Sequence, residues 1–242
     1  IKDWTRRMAL GLKVRGLMNV QYAIAKDKVY VLEVNPRASR TVPYVAKATG
    51  VPLAKMATRL MMGETLEQVG VTSDLEVEYH FVKAPVFPFA KFPGVDPRLT
   101  PEMRSTGEVM GVSPDVGTAY YKAQLSAGTN LPSEGTVLIT VNSDDHEAVV
   151  ATAKRLQDVG FLLVATRGTA RTLREHDIEV ETVLKKSEGR PNCVDKIKNG
   201  EIALVINTPM GASAARDGIH IRTASVEHGV PCITTLSGAS AA

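Results

Sequence analysis

The sequence predicts an α/β protein built in two parts, and three observations predict it. From Thr136 onward, short apolar strands alternate with segments of helical period, the pattern of a parallel sheet flanked by helices. Residues 17–34 instead read as two strands joined by a polar turn, and two helical stretches follow them. Between these halves, residues 126–135 are rich in Ser, Gly, Pro and Asn, which mark a linker. The expected organisation is therefore a first domain over 1–125, a linker over 126–135, and a second domain over 136–242. A length of 242 residues suits one or two domains.

The elements follow in order. Asp3 to Leu12 carries an apolar face at helical spacing. Leu17 to Ile24 is a strand, Lys26-Asp27 a turn, and Val29 to Val34 the returning strand of a hairpin. Val42 to Thr49 is a helix ended by Gly50. A second helix starts at Pro52 and runs through Leu53, Met56, Ala57 and Leu60 to Gly63. Val77 to Val86 alternates as a strand. Residues 87–111 are rich in Pro, Gly and aromatics, which reads as a long functional loop or an interdomain wrap. Ala119 to Leu125 is a helix.

In the second half, Thr136 to Val141 is a continuous apolar strand. Ser143 is the expected cap of the next helix, with Asp144 and Asp145 at its positive end. Val149, Ala153 and Leu156 give that helix a buried stripe, and Gly160 ends it. Phe161 to Ala165 is a strand, and the tight loop Thr166-Arg-Gly-Thr169 feeds a helix to His176. Ile178 to Val183 is a strand. Pro191 opens a helix closed by Asn199-Gly200. Ile202 to Ile206 is a strand, Asn207-Thr-Pro-Met-Gly211 a loop before another helix, and Val230 to Thr234 the last strand.

Composition excludes several classes. The net charge of +3 is too small to imply nucleic-acid binding. No run approaches the roughly 18 apolar residues of a membrane span. Two cysteines, Cys193 and Cys232, suggest neither a disulfide framework nor a zinc site, which fits a reducing cytoplasm. The chain begins with Ile and shows no signal peptide, so it reads as a piece of a larger protein.

Two places carry chemistry. The strand Val29 to Val34 ends in Glu33-Val-Asn-Pro-Arg37. Alternate strand residues share a face, so Glu33, Asn35 and Arg37 are expected to point the same way. Hard oxygen ligands beside a phosphate-pairing cation suit magnesium and nucleotide phosphates. Gln21 can lie opposite Glu33 across the hairpin, and Arg40 can also meet a phosphate. The second place is the carboxyl edge of the parallel sheet, where ligands of such folds bind. Thr166 to Thr169, Asn207-Thr208 and Thr234-Thr235 end three strands with small polar residues, and Lys185 and Lys186 follow another. Free N–H groups at a helix start, threonine hydroxyls and lysines describe a pocket for phosphate or a nucleoside monophosphate. His146, His176, His220 and His228 are scattered, and no nucleophile–base pair is visible.

The motifs Asn19-Val-Gln21, Glu33-Val-Asn-Pro-Arg-Ala-Ser-Arg-Thr-Val-Pro43, Lys91-Phe-Pro-Gly-Val-Asp-Pro97, Pro101-Glu-Met-Arg-Ser-Thr-Gly-Glu-Val-Met-Gly111, Glu188-Gly-Arg-Pro191 and Ile206-Asn-Thr208 resemble the carboxyl-terminal part of the large subunit of carbamoyl-phosphate synthetase. The resemblance covers essentially the whole chain. It implies the end of an ATP-grasp unit that phosphorylates carbamate, followed by a Rossmann-like, methylglyoxal-synthase-like allosteric domain. It implies ATP and a pair of Mg²⁺ or Mn²⁺ ions as cofactors, with K⁺ a further candidate ion. Gln21, Glu33 and Asn35 are then metal ligands, and Arg37 and Arg40 are active-site arginines. Thr166, Thr169, Lys185, Asn207 and Thr208, with Thr234, form the expected effector site for a UMP- or IMP-type nucleotide. The implied partners are the rest of the large subunit and a glutaminase small subunit, with no nucleic acid and no membrane. Glutamine would be the nitrogen source, for pyrimidine and arginine biosynthesis.

Departures from the family pattern bear on regulation. Ala84 and Cys232 stand where a relative with an ornithine site has an acid and a tyrosine. His146 stands where a phosphate-site lysine is usual, and Pro209 replaces a threonine. The chain also stops before the family's last helix, and the ATP-binding lysines and nucleotide lid would lie upstream. The isolated fragment is therefore expected to be inactive. Two rival readings are a methylglyoxal-synthase-type lyase, with Glu188 or Asp195 as its carboxylate, and a nucleotide-sensing module without catalysis.

Overall fold

The computed structural model describes residues 1–242 except 72, 74, 76, 92–98, 100, 101 and 209–211, and gives the backbone alone for 90 and 212–216. The chain divides into two compact units, Ile1–Glu78 and Tyr79–Ala242.

The first unit opens with helix α1 (Lys2–Gly11). Strands β1 (Asn19–Ala25) and β2 (Lys28–Asn35) then pair antiparallel. Lys26 and Asp27 both take positive φ, 49° and 60°, the left-handed pair that a two-residue hairpin loop needs. Helix α2 (Thr41–Thr49) stops at Gly50, whose φ of 72° costs a residue without Cβ little. Helix α3 (Leu53–Met61) follows, with Pro52 as its cap. Among the described residues of this unit, only Ala57 and Val69 are buried hydrophobics. Trp4, Ile24, Tyr30, Val31, Leu32, Met61 and Met62 are all exposed.

The second unit begins with a hairpin that composition concealed. Strand β3 (His80–Val86) pairs antiparallel with β4 (Gly107–Ser113), so the end of the proline-rich stretch is strand rather than loop. Helix α4 (Val116–Ser126) packs on this hairpin through Ala119 and Ala123, both fully buried. Gly111 allows the approach, since a Cβ there would fall 1.9 Å from the Ala119 carbonyl oxygen. Asp115 caps α4, its carboxylate accepting from the Thr118 N–H at 2.7 Å. The hairpin and α4 pack with the unit that follows, so compactness divides the chain well before the 126–135 linker that composition suggested.

Five strands form a parallel sheet in the order β7-β6-β5-β8-β9. They are β5 (Thr136–Val141), β6 (Leu162–Thr166), β7 (Glu181–Val183), β8 (Leu204–Thr208) and β9 (Cys232–Ile233). The connecting helices are α5 (His146–Asp158), α6 (Arg167–Glu175), α7 (Cys193–Lys198) and α8 (Ala212–Glu227). A last helix, α9 (Leu236–Ala241), was not anticipated from sequence. Strand alternation sorts the core into two layers. Val137 and Ile139 join Val149, Leu173 and Ile206 on one face, while Leu138 joins Val164, Val183, Ile197 and Val205 on the other. Each such side chain contributes about 1.5–3 kcal/mol on burial, which makes this sheet the firmest part of the chain.

Candidate functional sites

In the first unit, β-sheet register brings the expected metal ligands together. Gln21 lies directly opposite Glu33, and Asn35 is two residues further along β2. The Gln21 Nε2 donates to Glu33 Oε1 at 2.9 Å, and Asn35 Nδ2 donates to the same oxygen at 2.7 Å. The pairing steps from Gln21↔Glu33 to Tyr22↔Val31, leaving Leu32 as an extra residue. A step of this kind turns a strand locally and re-aims its side chains. The strand ends at Asn35, so alternation does not carry Arg37 onto the same face. Arg37 lies in the following bend, where its guanidinium donates to the Ala38 carbonyl at 2.9 Å. Arg40 is exposed at the start of α2.

In the second unit, the carboxyl edge of the sheet is polar as expected, but its groups are unequally engaged. Thr166 ends β6 and precedes α6 without capping it through its side chain. Thr169, in the first turn of α6, is fully buried, and its Oγ1 has no hydrogen-bond partner. Residues 167–169 belong to the helix itself, so the expected tight loop is a helix start. Asn207 is buried at the end of β8, donating to the Thr140 carbonyl at 3.2 Å and accepting from Arg222 at 3.1 Å. The Thr208 hydroxyl donates to Asp145 Oδ2 at 2.6 Å. Lys185 is exposed after β7, its backbone N–H bonded to Glu188 at 2.8 Å. Its neighbour Lys186, with Arg190, Asn192, Asp195 and Lys198, lines a cavity of about 340 Å³. Thr234 is exposed beyond β9, while Thr235 caps α9 by accepting from the Gly238 N–H.

Asn142 and Arg222 at this edge escaped the sequence reading, which gave Asp145 only the role of a helix-end charge. Asn142, rather than Ser143, caps the turn before α5, accepting from the Asp144 N–H at 2.9 Å. Asn142 also donates to Asp145 Oδ2 at 2.5 Å and to the Thr208 carbonyl at 3.0 Å. Asp145 therefore ties the ends of β5 and β8, whose pairing is visible only once the strand order is known. Arg222, on α8, needed the same knowledge. The signal that could have found Asn142 is its own cap propensity. His146 opens α5, and its ring lies against the first turn of α6. A Cβ on Gly168 would stand 3.0 Å from His146 Cε1, so glycine leaves the room the imidazole fills. Burial pushes the Cys232 thiol up to about 11, so it is no nucleophile at neutral pH. Most of the 91–97 motif, Pro101 and Pro209 lie outside the described residues.

Comparisons with known proteins now bear on both sites. Residues 2–69 match the ATP binding domain of the carbamoyl-phosphate synthase L chain, and residues 148–234 match the MGS-like domain. A carbamoyl phosphate synthase large chain from Archaeoglobus fulgidus is 54% identical over 243 residues, covering 100% of this chain and 23% of its own length. One from Acidobacterium capsulatum is 56% identical over 248 residues, with the same coverage. The carbamoyl phosphate synthase large chain, C-terminal section, of Aquifex aeolicus is 50% identical over 252 residues, covering 98% of this chain and 47% of its own. The chain matches the carboxyl-terminal section of carbamoyl phosphate synthase large chains. It spans about a quarter of the length of the first two of these relatives. Within such a large chain, the β1–β2 hairpin falls in the ATP binding domain, and the carboxyl edge of the parallel sheet in the MGS-like domain. A methylglyoxal synthase from Elizabethkingia anophelis NUHP1 aligns with a TM-score of 0.38 at 20% identity, over 45% of this chain and 76% of that one. Among the described residues no helix is long and apolar enough to cross a membrane.

Proposed function

We propose that this chain is the part of a carbamoyl phosphate synthase large chain that completes the carbamate-phosphorylating ATP site and carries its nucleotide-effector domain. The observation that carries the first half is the convergence of Gln21, Glu33 and Asn35. Both amides donate to one carboxylate oxygen, and a half-turn of each would present its oxygen instead. One carboxylate and two amide oxygens suit a hard divalent cation that takes its remaining ligands from phosphates and water. Bound Mg²⁺ or Mn²⁺ would supply positive charge that offsets the negative charge of the ATP phosphates. Gln21, Glu33 and Asn35 would hold it, and Arg37 and Arg40 would balance charge growing on the transferred phosphoryl oxygens. The product would be carbamoyl phosphate, with nitrogen from a glutaminase partner. The exposed apolar surface of the first unit fits a piece covered by the rest of a larger polypeptide. Cytoplasmic location and a requirement for K⁺ belong to the same reading.

The second half rests on the carboxyl edge, where Thr166, Thr169, Lys185, Asn207, Thr208 and Thr234 would receive a nucleoside monophosphate. Its binding would shift the population of active conformers. The test is Glu33→Ala in the full-length enzyme. ATP-dependent carbamoyl phosphate synthesis should be lost, while UMP binding stays intact. Unchanged synthesis would refute the ligand assignment. This chain alone should show no ATP-dependent turnover, and measurable synthesis by it would overturn that expectation.

A further inference from the structure

The carboxyl edge of the sheet has two halves in different states. On the α6 side, the Thr169 hydroxyl is buried without a partner, and Thr166 places no side-chain acceptor on the first turn. On the β8 side the Thr208 hydroxyl and the Asn142 and Asn207 amides are each engaged. Asp145 Oδ2 takes the Thr208 hydroxyl at 2.6 Å and the Asn142 amide at 2.5 Å. Asn207 is held between the Thr140 carbonyl and Arg222. Asp145 immediately precedes His146, whose ring lies against α6 at Gly168, so the backbone that carries the carboxylate runs next to the residue that meets the α6 side. In the order β7-β6-β5-β8-β9, strands β5 and β8 are neighbours whose connections run in opposite directions, which is where such sheets open a ligand crevice. Thus a negative group of the protein occupies the donors that a ligand anion would use.

We propose that Asp145 is an internal counter-ligand that sets the affinity and charge selectivity of this pocket. An incoming phosphate must take the Thr208 hydroxyl from the carboxylate and tolerate its charge. Asp145 thereby holds anion affinity down and penalises anions more than neutral ligands of the same shape. This rests on the effector-site reading above and adds the residue that tunes it. No covalent step is involved.

The test titrates the whole chain calorimetrically with UMP and with uridine, at fixed pH and salt. Asp145→Ala frees the Thr208 hydroxyl and removes the charge, whereas Asp145→Asn removes the charge but keeps an acceptor. A charge-assisted hydrogen bond released to the ligand corresponds to about tenfold or more in affinity. UMP should bind Asp145→Ala at least about tenfold tighter than wild type and tighter than Asp145→Asn, with uridine unchanged. In a Thr208→Val background the extra gain of Ala over Asn should disappear. Equal or weaker UMP binding by Asp145→Asn, with a wild-type circular dichroism spectrum, would overturn the proposal even if Asp145→Ala fails to fold. So would an Ala-over-Asn gain that persists without the Thr208 hydroxyl. Wild-type binding that Asp145 does not affect would leave the effector reading standing, whereas absence of UMP binding in every variant would remove both.

Discussion

Replacing Gly111 by Ala tests how β4 meets α4. An ideal Cβ at this position lies 1.9 Å from the Ala119 oxygen, 2.6 Å from the Ala123 nitrogen and 3.0 Å from the Ala119 carbonyl carbon. Non-bonded carbon contacts settle near about 3.5 Å, so strand and helix must part by about 1–2 Å. That opens the seam filled by Ala119 and Ala123, both 0% exposed. Over-packing costs about 1–3 kcal/mol when side chains can adjust, and more when they cannot. Here the obstacles are backbone atoms, so a loss of about 3 kcal/mol or more is expected. Gly107→Ala is the control on the same strand, because a Cβ there meets nothing within 4 Å. It should be neutral or stabilising by about 0.4–1 kcal/mol, since alanine at a compatible position reduces the freedom of the unfolded chain. Urea unfolding followed by far-ultraviolet circular dichroism reads both variants. Equal shifts of the two midpoints would refute the close-approach argument.

Further outcomes follow from the same geometry. The Thr118 backbone N–H holds the Asp115 carboxyl below its ordinary value of 3.8. A carboxyl depressed by folding stabilises above its unfolded value and loses that contribution as pH falls through its folded value. The stability gap between wild type and Asp115→Ala should therefore be constant near neutrality and close in acid. A gap that does not narrow would contradict the cap. Burial pushes the Cys193 and Cys232 thiols up to about 11 from 9.0. Iodoacetamide at pH 8 should leave both intact in the native chain and modify both in urea, as mass spectrometry would report. Because the unfolded thiols ionise first, stability should fall as pH rises from about 9 towards 11, and a flat profile there in chemical denaturation would argue against buried thiols.

Much of the fold is legible in the sequence because it is local. The hairpin announces itself through the polar pair Lys26-Asp27 between two apolar runs, and the βα alternation after Thr136 sets a parallel sheet. Glu33 and Asn35 share a face by simple alternation, but the turn alone would set Gln21 opposite Leu32, and only the extra residue in β2 brings it to Glu33. What was missed depends on distant partners. Strand β4 forms because Gly107–Ser113 finds His80–Val86 across a proline-rich interval, and Gly111 there makes room for Ala119 of α4, eight residues on, rather than serving a loop. Extending the strand to Arg37 failed because Pro36 ends the pairing. The Asp145 bond to Thr208 spans 63 residues and exists only because β5 and β8 are neighbours in the sheet.

The most direct test of the account is calorimetric titration of this chain and its Thr169→Val variant with UMP and IMP, paired with thermal unfolding. Valine keeps the shape of the buried side chain and removes the partnerless hydroxyl, which costs about 1–3 kcal/mol when no ligand claims it. The account predicts saturable binding of UMP or IMP to wild type, lost in a variant that unfolds at higher temperature. Binding undiminished in Thr169→Val, or no binding of either nucleotide to wild type, would contradict it.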